Sequence, residues 1–254
     1  MPPVTQTEPK VAAVTGASRG IGKAIAQRLA ADGMKVFALG RDVTALADVS
    51  GSSPNIDSRV CDVTDEDQVA GLFAEFPPVD ILVTNAGVAS SAKLTRTTLG
   101  EWERLQAVNA TGAFLCSRAV LGGMLERDWG RIITIASVAG QRGGKYIAAY
   151  TASKHAAIGL TRSIAMEVAG TGVTANSICP PYVRTEMTAA TIANIVERTG
   201  MTEADAESAL TADTALGRLL EPEEVAHAVA FLANDNSGAI NGQSIVLDGG
   251  DIQT

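Results

Sequence analysis

Lys10-Val-Ala-Ala-Val-Thr-Gly-Ala-Ser-Arg-Gly-Ile-Gly22 is an apolar run that breaks into a glycine-rich turn. The run Lys10–Thr15 reads as a buried strand. Ile21, Ile25 and Leu29 then recur at helical spacing and predict an amphipathic helix directly after the turn. Strand, glycine turn and helix in that order point to phosphate binding. Gly16, Gly20 and Gly22 let the backbone turn sharply, approach a phosphate and pack helix on strand. Ser18, Arg19 and Ile21 complete a turn whose helix N-terminus presents free N–H groups and a positive dipole end to a pyrophosphate. A glycine turn alone is a weak signal. This setting favours dinucleotide binding over a plain turn.

Working outward, the same alternation of strand and helix continues to the end of the chain. Met34–Gly40, Asn55–Val60, Val79–Val83, Arg131–Ala136, Val173–Ile178 and Ser244–Asp248 read as further strands. Val79–Val83 is apolar except for Asp80, as in a parallel strand buried on both faces. A helix is expected from about Thr98 to Met124, with Asn109 in its interior, where Asn is a poor helix former. That amide either has a specific task or marks a kink. The stretch Thr188–Leu216 is the least strand-like, with helical patterns around Ile192–Arg198 and Glu203–Leu210. Lying beyond a strand's C-terminal end, the segment from about 186 to 216 is expected to be a substrate lid. The fold class is therefore α/β: one doubly wound parallel sheet of about seven strands, a single domain over 10–254 after a flexible tail over 1–9.

Two positions bear on the choice of cofactor. NAD-specific proteins of this type place a carboxylate at the end of the second strand to hold the ribose 2′-OH. Here Gly40 and Arg41 stand at that place, with Asp42 one residue later. Arg41 and Arg19 suit a 2′-phosphate, since guanidinium binds phosphate through paired, charge-assisted hydrogen bonds. The competing possibility is that Asp42 swings in and selects NAD. Asp62, just past the third strand, could accept from the adenine amino group or cap the helix that starts near Asp65.

The 254 residues are 46% hydrophobic and 19% charged, enough for one sizeable α/β domain. A net charge of −8 argues against a nucleic-acid or anionic-membrane partner. Cys61, Cys116 and Cys179 are odd in number and lack CxxC spacing, so reduced core thiols are expected. Two histidines exclude a His-rich metal site. No stretch reads as a bilayer span or a signal core, and a cytoplasmic protein is expected.

Chemistry enters with Ser137, which closes the fifth strand, and with Tyr150-Thr-Ala-Ser-Lys154 in an Ala-rich stretch that reads as a helix. Spacing of four places Tyr150 and Lys154 on one helical face, about one turn apart. The ammonium is expected to favour phenolate and to pull the tyrosine below its free pKa of about 10. Tyr146 also precedes a residue at this spacing, but that residue is Tyr150 rather than a lysine.

In order and spacing, Thr15-Gly-x-x-x-Gly-x-Gly22, Asn85-Ala-Gly87, Asn109, Ser137, Tyr150-x-x-x-Lys154 and Pro180 with Thr185 resemble the short-chain dehydrogenase/reductase family. The resemblance spans about Lys10 to Gly250. It implies that Tyr150 is the acid/base on a carbonyl oxygen and that Ser137 positions that oxygen. Lys154 would lower the tyrosine pKa and hold the nicotinamide ribose, and Asn109 would bind a water that links Lys154 to solvent. It places Gly16–Gly22 at the pyrophosphate, Asp62 and Val63 at adenine, and Asn85, Ala86 and Gly87 by the adenosine ribose. Pro180, the Val183 backbone and the Thr185 hydroxyl would lie at the nicotinamide. Arg19 and Arg41 match the NADP-preferring branch, with NAD possible. Two departures appear: Thr84 where Asn is usual, and Pro181 where Gly is usual, which stiffens the loop under the nicotinamide. The segment Cys179–Gly217 resembles 3-oxoacyl and polyketide ketoreductases, although no Arg/Lys cluster for a carrier phosphate stands out in it. The family also implies a homotetramer built on the helices bearing Asn109 and Tyr150. Ala148, Ala149, Ala152, Ala156 and Ala157 would suit either that packing or packing on the protein's own sheet. The expected activity is interconversion of a ketone, a 3-oxoacyl thioester among the candidates, and a secondary alcohol. Alternatives are oxidative use of NAD, a non-catalytic dinucleotide sensor, and a sugar-nucleotide epimerase or dehydratase, disfavoured by chain length and glycine spacing.

Overall fold

Seven parallel strands form one sheet in the order β3-β2-β1-β4-β5-β6-β7. They are β1 Val11–Thr15, β2 Lys35–Gly40, β3 Ile56–Val60, β4 Ile81–Thr84, β5 Gly130–Ile135, β6 Val173–Cys179 and β7 Ser244–Val246. The computed structural model describes residues 8–212 and 214–253, so most of the expected tail, residues 1–7, lies outside them. Helices α1 Gly20–Ala31, α2 Val43–Gly51, α3 Glu66–Glu75, α4 Leu99–Gln106, α5 Gly112–Glu126, α6 Ala148–Glu167 and α9 Pro222–Ala233 connect the strands. Two more, α7 Glu186–Thr199 and α8 Glu203–Thr211, follow β6. Apolar residues cover both faces of the sheet. Val14, Ile25, Leu29, Ile133 and Val229 pack on one side, and Phe37, Leu82, Leu115, Met124 and Ile132 on the other. Strand order reverses between β1 and β4, and that switch opens a crevice at the C-terminal ends of the strands, where such sheets bind ligands.

Local chemistry accounts for most element ends. Asp42, Asp65, Thr98 and Thr202 each cap a helix by accepting from a backbone N–H in its first turn. Three differences from the sequence reading stand out. The helix expected over Thr98–Met124 is broken by a π turn, Ala107–Thr111, centred on Asn109. The first helix after β6 begins at Glu186, six residues before the pattern seen around Ile192, because Thr185 caps it. Leu99–Glu126 as a whole is long and apolar enough to cross a membrane, contrary to expectation. Its apolarity reflects packing inside the protein, where Leu105, Leu115, Cys116, Val120 and Met124 are buried.

Candidate active site

The glycine turn is held from below by Thr15 and Asn85. The Thr15 hydroxyl accepts from the backbone N–H of Asn85 at 2.9 Å and of Ala86 at 3.0 Å. The Asn85 amide donates back to the carbonyls of Thr15 at 2.9 Å and Gly16 at 3.1 Å. Asn85 is thus committed to tying β4 to the turn. The glycines are sterically required: a Cβ on Gly22 would lie 2.3 Å from the Gly16 carbonyl oxygen, and one on Gly16 2.7 Å from Ala86 Cα. Gly16 and Gly20 also have φ of +63° and +51°. Arg19 at the N-cap of α1 supplies no side-chain cap, and the first turn holds no acid. Orphan N–H groups in a glycine-lined cradle are the donor set a pyrophosphate needs, so the turn fits a dinucleotide.

The Ala17 N–H donates to the Leu39 carbonyl at 2.8 Å, bringing Ser18 and Arg19 beside the end of β2. A Cβ on Gly40 would lie 3.4 Å from Ser18 Cβ, so the absence of a side chain leaves room there. The Arg41 side chain is 69% exposed, and among the described residues its one polar contact is with Asp62 at 3.5 Å. Asp42 does not swing in: its carboxylate accepts from the Ala45 N–H at 3.0 Å as the cap of α2. Asp62 does not cap α3, a role taken by Asp65. Asp62 instead accepts from the Thr64 N–H and hydroxyl at 3.0 and 2.8 Å. These bonds, led by the backbone one and aided by Arg41, hold its carboxyl below the usual range. Val63 is buried against Gly112 at the start of α5, where a Cβ would lie 2.7 Å from Val63 Cγ2.

Across the crevice, Ser137 ends β5 and Tyr150 and Lys154 lie on α6. Ser137 is 8% exposed, and its hydroxyl accepts from the Ala139 N–H at 3.1 Å. The loop after it is joined to the loop after β6 by Val138 N–H donating to the Pro180 carbonyl at 3.1 Å. Lys154 is buried, its ammonium donating to the Ile135 carbonyl at 2.9 Å and lying 5.9 Å from the Tyr150 ring centre. Burial lowers the Lys154 pKa to about 8. Burial also raises the Tyr150 phenol, against an opposing hydrogen bond from Ser137. The expected downward shift of Tyr150 is therefore reversed in this structure. Desolvation of the phenol dominates, and Lys154 is itself desolvated and engaged with a backbone carbonyl.

Asn109 faces these groups from the π turn. Its Oδ1 accepts from the Val88 N–H at 2.8 Å, while Nδ2 donates to the Val88 carbonyl at 2.9 Å and to Ser153 Oγ at 2.8 Å. The Ser153 hydroxyl donates to the Tyr150 carbonyl at 2.8 Å. Asn109 therefore stitches the loop after β4 to α6, and both of its donors are used. Thr15, which opens the glycine motif, had no role in the motif reading, and Ser153 was absent from it. A threonine ending β1 and a serine beside the key lysine look ordinary until the fold brings partners to them. The Thr84 departure is absorbed: its hydroxyl donates to Thr134 at 3.1 Å, which also accepts from Thr161 at 2.8 Å. On the β6 side, the Val183 carbonyl accepts from the Thr188 hydroxyl at 2.6 Å. The Thr185 hydroxyl makes only long contacts of 3.3 and 3.4 Å.

A parallel sheet with a phosphate cradle at its switch point, facing a serine, tyrosine and lysine, defines a dinucleotide-dependent oxidoreductase. The family pattern for short chain dehydrogenases matches residues 10–195. A 3-oxoacyl-(acyl-carrier-protein) reductase of Vibrio cholerae is 40% identical over 254 residues, covering 96% of this chain and 97% of that one. An acetoacetyl-CoA reductase of Rhizobium meliloti is 39% identical over 247 residues, covering 95% and 98%. The crystal structure of an actinorhodin polyketide ketoreductase variant with NADPH superposes with a TM-score of 0.91 at 36% identity, covering 95% and 97%. The chain belongs to the short-chain dehydrogenase family.

Proposed function

We propose that this protein is an NADP(H)-preferring reductase that converts a small-molecule ketone, of the 3-oxoacyl thioester kind, into a secondary alcohol. The observation that carries the reading is the group of buried Ser137 and Lys154 with half-buried Tyr150, facing the glycine cradle across one crevice. The reductases and the NADPH-bound ketoreductase to which the chain is similar support both substrate class and cofactor. Arg41 standing free of Asp42 supports a 2′-phosphate over a bare 2′-OH. NADP(H), when bound, supplies the hydride.

The chain's own residues do the rest. Ser137 donates to the carbonyl oxygen and stabilises its developing charge. Tyr150 donates its phenolic proton to that oxygen. A raised pKa keeps the proton on the phenol at neutral pH, which suits an acid in the reductive direction. Lys154 stabilises the phenolate left behind and is assigned to the ribose hydroxyls. Asn109 fixes the Val88 loop and the Tyr150 turn in register. With both amide donors engaged, a relay water would use the remaining lone pair of its Oδ1. Gly16, Ser18, Arg19, Gly20, Ile21 and Gly22 are assigned to the pyrophosphate, and Asp62 and Val63 to adenine. Pro180, Val183 and Thr185 are assigned to the nicotinamide side. Residues 10–254 act as one catalytic unit with a lid over about 186–216. We further assign the protein to the cytoplasm, as a homotetramer joined through the outer faces of α5 and α6.

Replacing Tyr150 with Phe tests the mechanism. Reduction of acetoacetyl-CoA with NADPH should fall by about 10²- to 10⁴-fold, the range for a positioned acid. NADPH binding, read from nicotinamide fluorescence, should change less than about threefold. Retained turnover would remove Tyr150 from the chemistry.

A further inference from the structure

The first residue of the lid lies against the phosphate cradle. A Cβ on Gly20 would meet Thr185 Cγ2 at 3.1 Å and the Glu186 carboxylate oxygen Oε2 at 3.5 Å. Glu186 is exposed, and among the described residues its carboxylate makes no hydrogen bond or ion pair. Gly20 opens α1, whose N-terminus lacks both a side-chain cap and an acid in its first turn. A carboxylate without a partner therefore stands beside the uncapped helix end assigned above to the pyrophosphate.

We infer that Glu186 is a built-in brake on cofactor affinity: its carboxylate sits at the approach to the pyrophosphate subsite and opposes the cofactor's negative charge. The inference rests on the dinucleotide reading of the glycine turn. Like charges a few ångströms apart at a protein surface repel appreciably, and no cation is paired with Glu186 to cancel this. Swinging the side chain aside relieves the conflict, at a cost borne by the bound complex. A cofactor that must leave after each turnover is released faster when its site is weakened in this way. A competing explanation is that Glu186, in the first turn of α7, serves only that helix's own dipole. That explanation requires an effect on stability and none on cofactor affinity.

The test compares wild type with Glu186→Gln, and with Glu197→Gln as a control that removes a lid carboxylate elsewhere on α7. Ligands are NADPH and adenosine 2′-monophosphate, which lacks the pyrophosphate. Glu186→Gln should bind NADPH about three- to tenfold more tightly at about 10 mM salt. The ratio should shrink toward one at about 1 M salt, where the screening length falls to about 3 Å. Binding of adenosine 2′-monophosphate should stay unchanged, and Glu197→Gln should behave as wild type. Equal or weaker NADPH binding by Glu186→Gln overturns the brake, as does an equal gain for both ligands or for both variants. If neither wild type nor Glu186→Gln binds NADPH, the dinucleotide reading itself falls, and the brake with it.

Discussion

Burying an ammonium beside a phenol changes both groups, and Lys154 shows the cost in a measurable form. Its pKa is lowered to about 8 by burial, whereas an unfolded lysine titrates near 10.4. Below pH 8 both states hold the proton and the burial penalty applies in full. Between about 8 and 10 the unfolded chain holds more protons than the folded one, so this residue makes stability rise with pH. The contribution approaches about 1 kcal/mol per pH unit. Urea unfolding of wild type and Lys154→Met at pH 8 and 9.5 should show that increment in wild type alone. Equal slopes would mean that Lys154 keeps an ordinary pKa. The identity of this residue and its partner was legible in the sequence, because a spacing of four on a helix is a local fact. The direction of the phenol's shift was not, because desolvation depends on what the rest of the chain packs around it.

At the scale of elements, the β1 strand, its glycine turn and α1 could be read directly, since glycine placement and helical periodicity are written in adjacent residues. The π turn at Asn109 could not. Its widened turn is fixed by bonds to Val88 and Ser153, 21 and 44 residues away. The start of α7 was missed for a related reason: Thr185 reads as loop until its hydroxyl is seen at the helix cap. Packing beside the π turn yields a paired prediction. Gly→Ala inside a helix normally stabilises by about 1 kcal/mol. At Gly112 the new Cβ would lie 2.7 Å from Val63 Cγ2 and 3.2 Å from the Val63 carbonyl oxygen, whereas at Gly122, on the same helix, it meets nothing within 4 Å. Overpacking costs about 1–3 kcal/mol and should win at Gly112. Thermal denaturation should therefore show Gly112→Ala lowering Tm by about 2–6 °C and Gly122→Ala raising it slightly. A rise at both sites would show that Val63 yields freely.

For the whole molecule, the alanines of α6 divide between two surfaces. Ala149 and Ala157 are buried against the protein's own core, while Ala156 faces outward with Gly159 and with Met166, which is 78% exposed. On α5, Phe114 is 41% exposed, with the Arg118 guanidinium 5.0 Å from its ring. The small residues of α6 thus lie both against the protein's own core and at its outer surface. If these outer faces join subunits, Met166→Glu places a charge in the joint and should shift sedimentation from four copies to fewer. An unshifted tetramer would move the interface elsewhere, and a wild-type monomer would remove it.

The opposite end of the sheet carries a different opportunity. Lys10, Trp129, Arg131 and Asp235 close the N-terminal edge of the strands, with Lys10 and Arg131 at 4.0 and 4.5 Å from the Trp129 ring. Parallel strands put that edge as far from the crevice as the sheet allows. Next to it, Asn236 is exposed in a short turn and, among the described residues, bonds only through its backbone N–H. Cys61, Cys116 and Cys179 are all buried, with burial raising the first two thiols to about 11 and about 12. An Asn236→Cys protein would therefore offer a single readily reactive thiol. Coupled through it to a solid support, the attached subunit would stand with its crevice facing the solution.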